Sequence, residues 1–271
     1  ISQKNRTDWA GAGHEVAWAQ FTLPSKKISA PAGKSNPLFE NAVNESGEIN
    51  LPFGVTPPEP SLWRAPTDND RIGHIATKWE RYGVRELTRT DCTISESAKS
   101  YKIDSTWQTS TGLIIKEQQI ITAVENGFSV KEKITVPKKC EDLARVGIVF
   151  EIDGALENYT YFGTGPQESY PDRKLGRVHK WVSTVAQQYV PYIRPQENGG
   201  HADVRWMQLR DNKGNGIQIN LDSPLQVSVN PFTAAQLADA THDVELVPSG
   251  DTVVHIDAAH RGLGTASCGP D

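Results

Sequence analysis

The feature that most constrains the fold is a period-two segment, LIIKEQQIITAVENGFSVKEKITV, at residues 113–136. Apolar or β-branched residues alternate with polar ones on both sides of Glu125-Asn126-Gly127, which is the pattern of two strands joined by a tight turn. An Asn-Gly pair favours such a turn because both residues tolerate the positive φ angles that it requires. The segment therefore predicts an antiparallel hairpin.

Further strand patterns, separated by turn residues, occur along the chain at residues 14–23, 144–153 and 216–232. Helical patterns are scarce and short: residues 76–83 are one, and residues 232–241, with Thr233 as N-cap, are the other. Helices this few cannot supply the crossovers of a parallel sheet, so the predicted class is all-β and antiparallel.

Composition excludes several function classes. Hydrophobic residues make up 37% of the 271 residues and charged residues 23%, which is typical of a globular chain with a core. A net charge of -5 argues against nucleic acid or an anionic membrane as partner, and no apolar run is long enough to span a bilayer. Cys92, Cys140 and Cys268 are odd in number and lack metal-ligand spacing. They predict thiols of a cytoplasmic protein, with neither a disulfide framework nor a zinc site.

The chain divides by composition into three regions. Residues 24–60 are rich in Pro, Gly, Ser and Asn, and we expect a linker at 24–36 and a main domain at 37–271. Residues 1–23 predict terminal strands of a preceding domain, with one apolar face formed by Trp9, Val16, Trp18 and Phe21.

Both ends of the sequence suggest a piece of a longer polypeptide. The first residues, ISQKNRTDWAGAG, contain neither a starting methionine nor a signal peptide. The last ten residues, GLGTASCGPD, follow a Gly-rich turn without a closing strand. We therefore expect the main domain to be truncated at its C-terminal end.

Three polar stretches could carry either chemistry or structure: SLWRAPTDND (61–70), YFGTGPQESYPDRK (161–174) and IRPQENGGHADVRW (193–206). We expect Arg64 to pair with a carboxylate and Trp63 to be buried, because local bonds in turns account for every residue type present. The residues interpreted as structural motifs are Trp63, Arg64, Asp68, Asn69, Asp70, Gln167, Glu168, Arg194, Glu197, Asn198, Arg205 and Trp206.

Glu168 and Glu197 each follow a Pro-Gln pair, which raises the alternative of two catalytic carboxylates. Glycoside hydrolysis needs such groups roughly 5 Å apart for retention or about 6.5 to 9.5 Å apart for inversion, and a sequence does not give that separation. The favoured interpretation is that both are turn carboxylates neutralised by Arg173, Arg194 and Arg205.

The three stretches, together with HIDAAHRGLGTASCGPD (255–271), resemble the C-terminal domain of long-chain β-galactosidases of glycoside hydrolase family 2. The same domain is the small chain of two-subunit β-galactosidases. AGHEVAWAQFTL (12–23) resembles the closing strands of the immunoglobulin-like domain that precedes it in the family.

The resemblance implies an antiparallel supersandwich of the galactose-mutarotase type. It places the catalytic glutamates in a TIM barrel outside this sequence, and so predicts no catalytic residue, metal or cofactor here. The implied partners are the remaining β-galactosidase domains or the large chain, in an oligomeric parent enzyme that hydrolyses terminal β-galactosides such as lactose.

The resemblance also implies one substrate-binding position, Cys268. In the family the matching residue is commonly tryptophan, which completes the active-site wall and stacks on the sugar. A thiol offers a small polarisable contact without a flat aromatic face. The alternative is that Cys268 is a buried loop thiol.

Two other functions stay open at the level of sequence. An aldose mutarotase would need a histidine and a glutamate converging on an open cleft, although lone histidines such as His201 and His260 in polar loops are more often structural. A carbohydrate-binding module would need exposed tryptophans. The candidates are His179 or His201 with Glu168 or Glu197 for the first, and Trp63, Trp79 or Trp206 for the second.

Overall fold

The computed structural model of the chain describes residues 1–21, 23, 36–97 and 99–264. The strands in these ranges are β1 (Glu59–Ser61), β2 (Leu87–Ser97), β3 (Ser100–Thr109), β4 (Ile114–Val124), β5 (Gly127–Thr135), β6 (Arg145–Ile152), β7 (Asn158–Gly165), β8 (Arg177–Thr184), β9 (Gly200–Arg210), β10 (Gly216–Asn230) and β11 (Thr252–His260). The helices are α1 (Pro37–Glu40), α2 (Asp68–Ile72), α3 (Ile75–Tyr82), α4 (Val185–Gln188) and α5 (Ala234–Asp239), with a 3-10 turn at Asp243–Glu245.

These strands form two sheets. The larger has seven strands in the order β1-β6-β11-β10-β9-β7-β8, and the smaller has four in the order β2-β3-β4-β5. Every pairing between the named strands is antiparallel, which confirms the predicted all-β antiparallel sandwich. In the described ranges each helix is too short or too polar to pass through a bilayer.

The predicted hairpin is confirmed. Val124 of β4 pairs with Gly127 of β5, so that Glu125 and Asn126 form a two-residue loop. The positive φ, 148°, falls on Gly127. The predicted helix at 232–241 is α5, and the Thr233 side chain caps it by accepting from the Gln236 backbone N–H.

The strand predicted at residues 14–23 is wrong within the described part of that segment. Glu15 forms an isolated bridge with Ser2, and residues 16–21 form no strand. A strand requires a neighbouring strand to bond its backbone, and alternation of side chains alone does not supply one. The assignment of residues 1–23 to a preceding domain stays a prediction.

The larger core lies on one face of the seven-stranded sheet. Tyr159 and Tyr161 of β7 stack with ring centroids 5.0 Å apart, and Met207 and Leu209 of β9 lie beside them, fully buried. Alternation places every second residue of these strands in this core, which fixes their register. Truncating such a side chain to alanine typically costs roughly 2–5 kcal/mol.

The smaller sheet is covered by helix α3 and by residues 36–58. Trp79 of α3 packs against Trp107 and Ile115, and its indole N–H donates to the carbonyl of Asp142 over 2.7 Å. Phe39 and Ile49 pack against the other part of the sheet. Helix α1, which carries Phe39, begins at Pro37 because the Asn36 side chain accepts from two of its free backbone N–H groups.

Candidate functional site

The three polar stretches and the chain after β11 meet in one region. The Asp68 backbone N–H donates to Gln196 Oε1 over 3.2 Å, which joins the first stretch to the third. The Ser169 N–H donates to the carbonyl of Gly200 over 2.7 Å, which joins the second to the third. Residues 261–264 cross the same region directly after β11.

Arg64 binds the first two residues of the segment 261–264. Its side chain is fully buried, and Nε and Nη2 donate to the two carboxylate oxygens of Asp70 over 3.0 and 2.8 Å. The remaining donors bind the carbonyl of Arg261 over 2.7 Å and that of Gly262 over 2.9 Å. The expected pairing of Arg64 with a carboxylate is confirmed, and a planar fork that also binds two carbonyls fixes the path of the backbone.

Asn69 and Asp172 hold the next two residues. Asn69 Nδ2 donates to the carbonyl of Leu263 over 2.8 Å, while the N–H groups of Leu263 and Gly264 donate to Asp172 over 3.1 and 2.7 Å. A Cβ on Gly262 would lie 2.5 Å from Cγ of Asp172, so this approach requires glycine. We call Arg64, Asn69 and Asp172 the clamp.

A buried charged cluster supports the end of β11. Val254 and Ile256 face the larger core, so the alternating residues His255 and Asp257 face the other side of the sheet. There Asp257 Oδ2 lies 3.7 Å from Nη1 of Arg145, whose side chain is fully buried.

Glu197 completes this cluster. Arg145 Nη2 donates to Glu197 Oε2 over 2.5 Å, and His260 Nε2 lies 3.6 Å from Glu197 Oε1. We call Arg145, Glu197, His255, Asp257 and His260 the arginine cluster.

Burial and charge oppose each other in this cluster. Burial alone would raise the pKa of Glu197, but Arg145, with smaller contributions from His260 and His255, lowers that pKa well below its usual range. Burial raises the pKa of Asp257 despite the opposing effect of Arg145. Burial and then Arg145 lower the pKa of His255, which favours its neutral form. The arrangement therefore favours an ionised Glu197 paired with Arg145.

Glu168 is also fully engaged. It accepts from Nη1 of Arg173 over 2.8 Å, from the hydroxyl of Tyr192, and from the backbone N–H of Gly199 over 3.0 Å. The prediction that Arg173 neutralises Glu168 is confirmed. Glu197, in contrast, is neutralised by Arg145, so the expectation that Arg194 or Arg205 would serve the two glutamates is wrong.

Arg194 and Arg205 make other contacts. Arg194 is exposed and faces the cation of Arg71, which lowers that residue's pKa after the larger effect of burial. Arg205 donates to the carbonyl of Asp203 over 2.7 Å, and its guanidinium lies over the ring of Phe162 at 5.5 Å. Both are outward-facing positions next to buried ones.

The histidines predicted in polar loops lie in strands instead. His201 belongs to β9, is 1% exposed, and contacts Tyr161 and Gln188. Burial lowers its pKa to about 4, against the raising effect of the Thr164 carbonyl. His260 ends β11. The expectation of a structural role is supported by these contacts, and His201 does not meet an open cleft.

The three tryptophans differ from one another. Trp79 is fully buried, so it offers no sugar-stacking face. Trp63, expected to be buried, is half-buried, and the Arg85 guanidinium lies over its ring, 5.1 Å from the centroid. Trp206 is half-buried beside Phe162, with rings 6.3 Å apart and 11° from parallel.

The remaining predicted residues have ordinary structural contacts. Gln167 is exposed. Asp68 lies on the surface within 3.4 Å of Arg71. The Asn198 side chain is buried, accepts from the Val190 N–H over 3.1 Å and donates to the Gln196 carbonyl over 2.9 Å. Asn198 therefore braces the third stretch internally.

Sequence reasoning missed three residues that organise the site: Arg145, Asp257 and Asp172. Arg145 and Asp257 lie in strands whose apolar content predicts burial, and a charged residue in such a strand is the signal that a buried partner must exist. Asp172 is a turn residue of common type, so no signal in the sequence distinguishes it.

Cys268, the predicted substrate-binding residue, lies outside the described residues. Cys92 and Cys140, which are described, are free thiols. Among the described residues no group of three or more His, Cys, Asp or Glu side chains is arranged to hold a metal ion.

Comparison with known proteins gives a consistent result. A family model described as β-galactosidase small chain matches residues 35–271. A β-galactosidase of Arthrobacter sp. strain B7 is 27% identical over 99% of the chain, and one of Bifidobacterium adolescentis is 27% identical over 97%. A β-galactosidase of Lactobacillus delbrueckii subsp. bulgaricus is 32% identical over 76% of the chain.

The matched part of each relative is small. The chain covers 30%, 29% and 21% of the length of these three proteins, respectively. The chain therefore corresponds to a domain-sized portion of each of these relatives.

Proposed function

The chain belongs to the β-galactosidase small-chain family, and from that premise we propose that it is the C-terminal domain of an enzyme that hydrolyses terminal β-galactosides such as lactose. In this proposal the catalytic glutamates lie in a TIM barrel of the parent enzyme, and the present domain contributes no acid or base. The internal engagement of both Glu168 and Glu197 supports that division, because a carboxylate saturated by protein donors is poorly placed to exchange a proton with a sugar.

The clamp is the observation that carries the proposal. It fixes the backbone of residues 261–264, and Cys268 follows four residues later in the sequence. Rigid support of a substrate-contacting segment is what an active-site wall needs, because small displacements of such a segment cost catalytic rate. We therefore assign to the clamp the role of positioning the segment with Cys268 at the entrance of the active site.

Exposed apolar side chains next to the clamp fit contact with the rest of the parent enzyme. Ile72, which ends helix α2, is 70% exposed, Leu175, directly after the second stretch, is 90% exposed, and Ile193, at the start of the third, is 92% exposed. Large apolar side chains that are this exposed favour burial against a partner. The partner in this proposal is the remaining part of the β-galactosidase, as other domains or as a large chain.

Three further properties belong to the same proposal. The parent enzyme is cytoplasmic, which the free thiols of Cys92 and Cys140 support. It is an oligomer, as is common among soluble enzymes. The present segment uses no cofactor or metal of its own.

Asp172→Ala in the intact parent enzyme tests the positioning role. It removes the acceptor for two backbone N–H groups, so kcat/KM for lactose should fall by about tenfold while the melting temperature changes little. Asp239→Ala, which removes an exposed carboxylate paired with Arg85, is the matched control and should leave kcat/KM unchanged. Equal kinetics of the two variants would refute the positioning role.

Cys268→Trp tests the substrate wall itself. If stacking on the sugar contributes about 1 kcal/mol, affinity for lactose should rise several-fold, whereas Cys268→Ser should have little effect. Unchanged kinetics together with a lowered melting temperature would instead identify a buried structural thiol.

The isolated chain should hydrolyse no nitrophenyl galactoside and should not accelerate the mutarotation of α-galactose measured by polarimetry.

A further inference from the structure

Strand β8 forms one edge of the larger sheet. It pairs with β7 on one side, and no other named strand in the described ranges pairs with its outer side. The outward N–H and C=O groups of an edge strand can pair with a strand of another chain. Val182, which is 76% exposed on this strand, increases that tendency.

Gln20 covers part of this edge. Its Nε2 donates to the carbonyl of Val178 over 2.8 Å, and the Val178 N–H donates to its Oε1 over 2.8 Å. One side-chain amide thus occupies both outward backbone groups of Val178, in the way that the backbone of a paired strand would.

Two more contacts converge on the neighbouring residue, Arg177. The Glu15 carboxylate accepts from Arg177 Nη2, and the Arg177 guanidinium lies over the Trp18 ring at 5.1 Å. These contacts explain why Trp18 is less exposed, at 43%, than Phe21, at 86%. Residues 15–20 therefore contact two consecutive residues of β8 through an ion pair, a cation–π contact and two hydrogen bonds.

We propose that residues 15–20 form a clasp that covers the outer edge of β8 at Arg177 and Val178. The occupant of this edge is the chain's own segment, and Gln20 acts as a substitute for strand backbone. The clasp attaches residues 1–21 to the larger sheet and protects the edge from pairing with a second copy of the chain. This role is independent of the proposed function in galactoside hydrolysis.

Amide hydrogen exchange measured by NMR on the 271-residue chain tests the clasp. Gln20→Leu removes both hydrogen bonds, so the Val178 amide should exchange about five- to tenfold faster. Trp18→Ala should also accelerate it, by a smaller factor. Phe21→Ser is the matched control in the same segment and should change nothing. The amide of Met207, in the buried strand β9, reports any global loss of stability.

Two results would overturn the proposal. One is that the Val178 amide exchanges at the same rate in Gln20→Leu, in Trp18→Ala and in the unsubstituted chain. The other is an increase at Val178 no larger than the increase at Met207. Sedimentation adds a second readout. The variant that combines Gln20→Leu with Trp18→Ala should self-associate at a lower concentration than the unsubstituted 271-residue chain. Equal self-association of the two would overturn the protective role.

Discussion

Buried carboxylates in the two sheets are stabilised in opposite ways. In the arginine cluster of the larger sheet, Glu197 faces Arg145, and its pKa is lowered despite complete burial. In the smaller sheet, Glu117 and Glu132 lie on neighbouring strands, and burial raises the pKa of both. The difference shows that the partner, and not burial alone, decides whether a buried glutamate keeps its charge.

Among the described residues, no lysine or arginine side chain is hydrogen-bonded to Glu117 or Glu132. Glu117 accepts from the indole N–H of Trp107 over 2.8 Å, and Gln119 donates to Glu117 and Glu132 over 3.3 and 3.1 Å. Arg89 lowers the pKa of Glu117 from a distance, but its own donors bind the turn at residues 46–48.

Neutral donors cannot compensate two adjacent negative charges, so the pair retains a proton. Burial, followed by the charge of Glu117, raises the pKa of Glu132 to about 8. Burial penalises a charged carboxylate at both sites. At one site the cation of Arg145 compensates that cost, and at the other a bound proton neutralises one of the two glutamates.

Removing the cation should give the largest effect. Arg145→Met removes the guanidinium that pairs with the buried Glu197, and the free energy of unfolding should fall by about 3–5 kcal/mol. Urea denaturation at pH 7 measures the loss.

Arg85→Met provides the control for this variant. Arg85 Nη2 contacts both carboxylate oxygens of Asp239 on the surface, where both side chains are substantially exposed. Its removal should cost about 1 kcal/mol or less. Equal losses in the two variants would show that Arg145 has no special role.

Acidification should produce the next largest effect. Because the folded pKa of Glu197 lies below the ordinary value of 4.5, its contribution to stability is present above that value and is lost as pH falls below it. Between pH 5 and pH 3 the free energy of unfolding should fall by about 2 kcal/mol more in the unsubstituted chain than in Glu197→Gln. Parallel stability curves for the two proteins would contradict the depressed pKa.

The parts of the fold that follow from local sequence were predictable, and the charged site was only partly so. The 113–136 hairpin and the Thr233 cap depend on residues close in sequence, and both are confirmed. The Arg64–Asp70 pair spans six residues and was anticipated in kind. The partner of Glu197, however, is Arg145, which is 52 residues away in the sequence and on strand β6, so no local pattern connects the two.

Long-range contacts also explain the other errors. Trp79 was a candidate for sugar stacking because nothing near it in sequence shows that Asp142 and the smaller sheet cover it. His201 was assigned to a polar loop, yet strand β9 begins one residue before it, at Gly200. Pairing with β10 decides that boundary, and the pairing partner lies more than 20 residues away in the sequence.

Alkaline pH should have a smaller effect, in the opposite direction to that of acid. Because the folded pKa of Glu132 is raised to about 8, its contribution to stability is full below pH 4.5 and is lost as pH rises towards 8. Glu132→Gln removes this titration, and at pH 8.5 it should exceed the parent in stability by about 1 kcal/mol, since the half-buried side chain is partly solvated. A variant less stable than the parent at pH 8.5 would show that the ionised pair is tolerated.

Arg89→Met should give the smallest effect. This variant tests whether a distant cation changes the pKa of the Glu117–Glu132 pair. Arg89 lies over the Trp107 ring at 5.9 Å and lowers the pKa of Glu117 against the larger effect of burial. Without it, the alkaline inflection in stability should move up by roughly a few tenths of a pH unit, because solvent weakens a charge at that distance. The quantity to measure is the pH of the inflection and not the stability itself. Arg89 also binds the carbonyls of Ser46 and Gly47, so its loss lowers the stability at every pH. An inflection that stays in place would mean that the pair does not respond to Arg89, and that its proton is held by burial and by Glu117–Glu132 repulsion alone.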